Sequence, residues 1–145
     1  MADYARLGKV RPVDTGIGAN FIEHVAIIVT DLDRARDFYG RVLGLAEVSR
    51  PESFDFPGTW YQLGNTCLHL LGKPNRDADS SRHFCVRVVD LKVAETHLKS
   101  AGWPIRWETK YKILGIDRFF LHDHDGNRIE VQGPEARSNG ADGRP

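Results

Sequence analysis

Hydrophobic positions along the chain change period in a regular way. Residues 21–29, FIEHVAIIV, are apolar and rich in β-branched side chains, as a strand is. After Asp31, a residue suited to capping a helix, apolar side chains recur at Leu32, Ala35, Phe38, Tyr39 and Val42. That is helical spacing, and Gly44 closes it. Short strand-like runs follow at 46–49, 59–63 and 67–71. The sequence then begins again. Residues 82–89 form a strand, and Asp90 caps a helix with Leu91, Ala94 and Leu98 on one face. Gly102 stops that helix, and strands are expected near 105–109, 118–121 and 128–132, with Asp125-Gly126-Asn127 as the turn before the last.

The recurrence is an internal repeat. HVAIIVTDLDRA at 24–35 and HFCVRVVDLKVA at 83–94 share His, six residues, Asp-Leu, two residues and Ala, at an offset of 59. Gly64-Asn65 before LHL is echoed by Gly126-Asn127 before IEV. Two units of roughly 55 residues are too few for a solenoid and suit a duplicated module whose halves pack together. The expected fold is α+β: two βαβββ modules, 21–75 and 80–132, with mixed curved sheets forming a partly open, barrel-like cleft. Residues 1–20 read as an N-terminal arm and 133–145, rich in Gly, Pro and charge, as a flexible tail.

Strand parity turns this layout into candidate chemistry, because alternate side chains face opposite sides of a sheet. Val25, Ile27 and Val29, Leu68 and Leu70, Phe84, Val86 and Val88, and Ile129 and Val131 each form an apolar stripe that should cover the helices. The opposite face then carries His24, His69, His83 and Glu130, one metal-capable residue from each of four strands. Imidazole and carboxylate are the usual donors for Zn, Ni, Co, Mn or Fe. The positions are also equivalent in the two repeats, His24 with His83 and His69 with Glu130. His24, His83 and Glu130 alone make a two-His, one-carboxylate triad.

Composition narrows the classes. The chain has 145 residues, 41% hydrophobic and 28% charged, enough for one packed domain. Lys+Arg and Asp+Glu are 20 each, so no net field draws the chain to nucleic acid, and no nucleic-acid partner is expected. No apolar run approaches a membrane span, and no apolar leader opens the chain, so a cytoplasmic protein with no membrane partner is expected. Cys67 and Cys85 are too few for a disulfide framework and are read as free, small packing residues near the donors. Trp60, Gln62, Arg87, Tyr111 and Arg128 are candidates for substrate contact. His97 is read as a surface residue. Asp123-x-Asp125-Gly126 has the start of a Ca²⁺ loop without its third acidic position or distal Glu.

Four segments carry a resemblance: EHVAIIVTDLDRARDFYGRVLGL at 23–45, LHLL at 68–71, RHFCVRVVDL at 82–91 and FFLHDHDGNRIEV at 119–131. With them the sequence resembles the vicinal oxygen chelate superfamily of glyoxalases, bleomycin-resistance proteins and extradiol dioxygenases. The resemblance implies one divalent transition metal per site, held by the residues on the first, fourth, fifth and eighth strands: His24, His69, His83 and Glu130. It implies a homodimer, with modules pairing within a chain or across the dimer. It also implies a lyase or isomerase acting on a small molecule with two adjacent oxygens through an enediolate-like intermediate, with Glu130 as ligand and proton shuttle. An Fe(II) dioxygenase using the triad and a non-catalytic drug-binding protein are the alternatives. Glyoxalase I usually has Glu or Gln where this chain has His69. Extradiol enzymes have Tyr and Pro where it has Phe120 and His124.

Overall fold

The computed structural model describes residues 16–19, 21–111, 113 and 115–134. Most of the expected arm and tail lies outside the described residues. The elements run β1 (His24–Val29), α1 (Leu32–Arg36), a π-helical turn (Asp37–Val42), β2 (Ala46–Val48), β3 (Gly58–Leu63) and β4 (Thr66–Gly72). The second half repeats them as β5 (His83–Arg87), α2 (Leu91–Ser100), β6 (Arg106–Trp107), β7 (Arg118–His122) and β8 (Arg128–Gln132). Each half makes a four-stranded mixed sheet of the same topology, β1-β4-β3-β2 and β5-β8-β7-β6, with the first pair parallel and the others antiparallel. The sheets do not close into a barrel, so the duplicated βαβββ architecture is cleft-like.

The caps fall where the sequence puts them. Asp31 accepts from the Arg34 N–H, and Asp90 from those of Lys92 and Val93. Gly44 and Gly102 have φ of +71° and +73°, the left-handed region in which a helix ends on glycine. The first helix differs from the single α-helix expected. After Arg36 it widens, and the Leu43 N–H donates to the Phe38 carbonyl at 2.8 Å, five residues back. Spacing of apolar residues reads the same for an α-turn and a widened one, so the sequence does not reveal it. The wide turn still buries Phe38, Tyr39 and Val42 together.

The apolar stripes of both modules face one core. Val29, Leu68, Leu70, Ile129 and Val131 pack with Phe38, Tyr39, Leu98, Phe119 and Leu121. Burial at about 25 cal/mol per Å² of apolar surface makes this packing the main stabilising term. On α2, the largely buried Glu95 accepts from Lys92 at 2.8 Å, Lys99 at 2.7 Å and the Trp107 indole at 3.1 Å. Those donors hold its carboxyl down to about 2.

A polar clasp joins the modules. The Tyr39 hydroxyl donates to Asp123 at 2.8 Å, the Thr30 hydroxyl donates to Asp125 at 2.6 Å, and the Asn127 amide donates to the Ile28 carbonyl at 2.8 Å. Asp123 also accepts from the backbone N–H groups of Asp125 and Asn127. The carboxylates that suggested a Ca²⁺ loop are therefore occupied by protein donors. His97 is exposed, as expected, and also bonds through Nε2 to the Val42 carbonyl at 2.9 Å, one of the carbonyls left open at the end of the π-helical turn.

Candidate metal centre

Register decides which donors meet. In the parallel pair β1–β4, Ala26 stands opposite His69, which makes His24 and His69 diagonal neighbours. In β5–β8, Cys85 stands opposite Glu130, giving His83 and Glu130 the same diagonal relation. All four side chains lie on the face away from the core stripe. The structure thus brings the expected donors together as two pairs, one per module. Among the described residues, no three His, Cys, Asp or Glu side chains are grouped closely enough to share one ion.

In the first pair, the His24 and His69 rings stack at 4.4 Å between centroids and 12° between planes. Trp60, on β3 opposite His69, stacks on the far side of His69 at 4.0 Å and 7°. His24 is anchored by contact of its Nδ1 with the Glu23 carboxylate. Desolvation, followed by the nearby His24, pushes the His69 imidazole below its ordinary pKa, favouring the neutral ring that a metal needs.

In the second pair, His83 Nε2 lies 2.9 Å from Glu130 Oε2, and His83 Nδ1 lies 2.9 Å from the Ser81 carbonyl. The Ser81 carbonyl can only accept, so it takes the Nδ1 proton, and Nε2 is the nitrogen turned to the Glu130 carboxylate; that contact needs a proton or a cation between the two atoms. Glu130 is only 4% exposed. Its other oxygen, Oε1, accepts from Arg118 Nη1 at 3.2 Å and Gln132 Nε2 at 2.7 Å. A buried carboxylate needs such partners to stay charged. They also fix its orientation, so that Oε2 is the oxygen turned toward His83.

The donor set suits a divalent ion. Both β1 and β5 histidines have Nδ1 tied to an oxygen, the outer-shell arrangement that presents Nε2 to a metal. A single chain supplies this set in two halves. β1 and β5 are unpaired with each other and border a cavity of about 190 Å³ lined by Val25, Ile27, His83, Phe84 and Arg128.

The remaining candidates scatter. Trp60 sits in the first half-site, and Gln62 bonds to the Gly64 carbonyl at 2.6 Å and accepts from Cys67. Arg128 lies over the Phe120 ring at 3.9 Å, while Arg87 is exposed on β5. Tyr111 is 64% exposed, and its carbonyl accepts from Arg118 Nη2 at 2.8 Å. The cysteines are free as expected, but Cys85 is exposed and Cys67 half-buried rather than packed in the core, because they share the open face with the donors. Arg118 and Gln132 were missed. They face each other across β7–β8, and parity places Gln132 beside Glu130 on the open face.

Residues 21–131 match the family described as the glyoxalase/bleomycin resistance protein/dioxygenase superfamily. The chain is 28% identical over 119 residues to "Glyoxylase I 4" of Arabidopsis thaliana, covering 76% of this chain and 68% of that protein. It is 35% identical over 127 residues to the mitochondrial methylmalonyl-CoA epimerase of Bos taurus, covering 77% and 71%. Among solved structures, a putative glyoxalase family protein from Bacillus anthracis superposes with a TM-score of 0.72 at 25% identity, covering 87% of this chain and all of that one. With the match spanning both modules, the chain belongs to the glyoxalase/bleomycin resistance protein/dioxygenase superfamily.

Proposed function

We propose that this protein is a divalent-metal-dependent enzyme of the lyase or isomerase type, acting on a small molecule with two adjacent oxygens. The observation that carries the reading is the His83–Glu130 pair, a largely buried carboxylate with one oxygen fixed and the other turned to Nε2 of an imidazole whose Nδ1 is tied to the Ser81 carbonyl. His24 and His69 are the complementary donors, and a homodimer in which one copy's first module faces the other's second completes the set. His24, His69, His83 and Glu130 would hold the divalent ion, which would supply Lewis-acid polarisation of a substrate carbonyl. Glu130 Oε2 is the base that would take the proton from the carbon beside that carbonyl and return it to the product. Arg118 and Gln132 keep Oε1 occupied, so the transfer runs through Oε2. The same carbon-acid step serves a glyoxalase and an epimerase, the two activities named for the relatives above. Arg87 and Arg128 supply cationic contacts for an anionic substrate group, and Gln62 and Tyr111 border its path.

Metal quantification on purified, reconstituted protein tests the reading. One divalent transition ion per chain is expected in wild type, together with a dimer by light scattering. His69→Ala should retain less metal if four donors act and the same amount if only the triad does. Wild type without stoichiometric metal after reconstitution overturns the proposal and leaves a binding role.

A further inference from the structure

Each of the other three donors has a polar partner on the protein: Glu23 for His24, Ser81 for His83, and Arg118 with Gln132 for Glu130. His69 has none among the described residues. Its ring lies between two others, Trp60 at 4.0 Å and His24 at 4.4 Å, all three nearly parallel. Trp60 is in turn braced by Phe54, whose ring meets it edge-on at 5.3 Å. Arg50 packs over the rings of Phe54 at 4.9 Å and Phe56 at 4.6 Å and donates to the Phe56 carbonyl at 2.6 Å, fastening the 50–57 loop against this row. A ring with free nitrogens and both faces covered can turn in its own plane but cannot tilt out of it. Offset and parallel stacking is a directional contact, so a partner of the right shape can take the place of a hydrogen bond in orienting a ligand.

We infer that Trp60 is the positioning residue for His69, its indole plane setting the plane of the imidazole in the first half-site. This assigns Trp60 a task other than substrate contact, and it rests on the reading of His69 as a donor.

Two measurements test it. In metal-free protein, NMR should find the His69 ring protons shifted by the Trp60 ring current, with the shift lost in Trp60→Leu and largely kept in Trp60→Phe. Unchanged His69 resonances in Trp60→Leu overturn the inference. Calorimetry with Ni²⁺ should give binding about 10–100-fold weaker in Trp60→Leu, the size seen when outer-shell partners of a ligand are removed, and mostly restored in Trp60→Phe. Affinity within twofold of wild type in Trp60→Leu also overturns it. If wild type takes up no Ni²⁺, the metal reading fails, and the NMR comparison still decides whether Trp60 holds the ring. Should Trp60→Leu not fold, Trp60→Phe serves in both measurements. Wild-type tryptophan emission should then change on Ni²⁺ loading, and Trp60→Phe, which keeps Trp103 and Trp107, should lose that change. An identical change in Trp60→Phe overturns the inference.

Discussion

The two half-sites descend from one motif, share one register and are held by different physics. In the first, aromatic faces do the holding: Trp60, His69 and His24 form a stack on an open sheet, with Phe54 behind it. In the second, charge and hydrogen bonds do: Glu130 is buried at the centre of His83, Arg118 and Gln132. Replacing the imidazole of His69 by the carboxylate of Glu130 at the equivalent position brings a desolvation cost that ring stacking cannot meet. The second module therefore needs Arg118, and the first has no counterpart of it. A stacked neutral ring offers a lone pair only. A buried, hydrogen-bonded carboxylate can also accept a proton, which is why the proposed acid–base role is assigned to Glu130 in the second module.

The largest effect should come from removing that difference. Glu130→Gln keeps the shape and most of the hydrogen bonds but cannot take a proton. Turnover should fall by about 10²–10⁴-fold. Steady-state kinetics on the metal-loaded protein checks this, and full turnover with metal retained would assign the proton transfer elsewhere.

Cys85, opposite Glu130, reports the same asymmetry without any substrate. Its partial burial, followed by the Glu130 carboxylate, pushes the thiol up to about 12. Only the thiolate reacts, and at pH 8 about 10⁻⁴ of Cys85 is ionised, which slows alkylation about 10³-fold against a free cysteine. The rate should climb about tenfold per pH unit toward 12. Mass spectrometry after brief iodoacetamide treatment of metal-free protein should find Cys67 modified before Cys85. Exposure alone ranks them the other way, since Cys85 is the more exposed.

Much of this architecture was legible in the sequence, for a definite reason. The 59-residue offset and the alternation of side chains are properties of the chain itself, so the duplication and the shared face of His24, His69, His83 and Glu130 could be read directly. What holds those donors could not. Arg118 meets Gln132 only through the β7–β8 register, and Trp60 meets His69 only through that of β3–β4. Register between strands depends on turns and packing that no single segment records. Likewise, Tyr39 is an apolar position by spacing, and its reach to Asp123, 84 residues away, emerges only when the modules dock.

Arg118→Met should cost about 3 kcal/mol, because it leaves the Glu130 carboxylate buried with its main cation removed. Gln132 and His83 remain as partners, so the protein should still fold. Chemical denaturation should show a lower midpoint with an unchanged slope. A loss below about 0.5 kcal/mol would mean that Arg118 is no more than a surface ion pair.

The smallest effect separates the two modes of holding within the shared core. Tyr39 and Tyr61 are both fully buried, with rings 6.2 Å apart. Tyr39 donates to Asp123 in the second module, whereas the Tyr61 hydroxyl, inside the first, has no hydrogen-bond partner among the described residues. Burial and the adjacent Asp123 carboxylate raise the Tyr39 phenol far above its usual range, so it stays a donor at any working pH. Tyr39→Phe removes a bond to a charged acceptor and should destabilise the protein by about 1.5 kcal/mol. Tyr61→Phe removes a buried polar atom that gains nothing from its surroundings. It should be neutral or stabilising by up to about 1 kcal/mol. Thermal unfolding of the two variants side by side measures the difference. Equal losses would show that the Tyr61 hydroxyl is satisfied in solution, and that the first module depends on polar contacts as the second does.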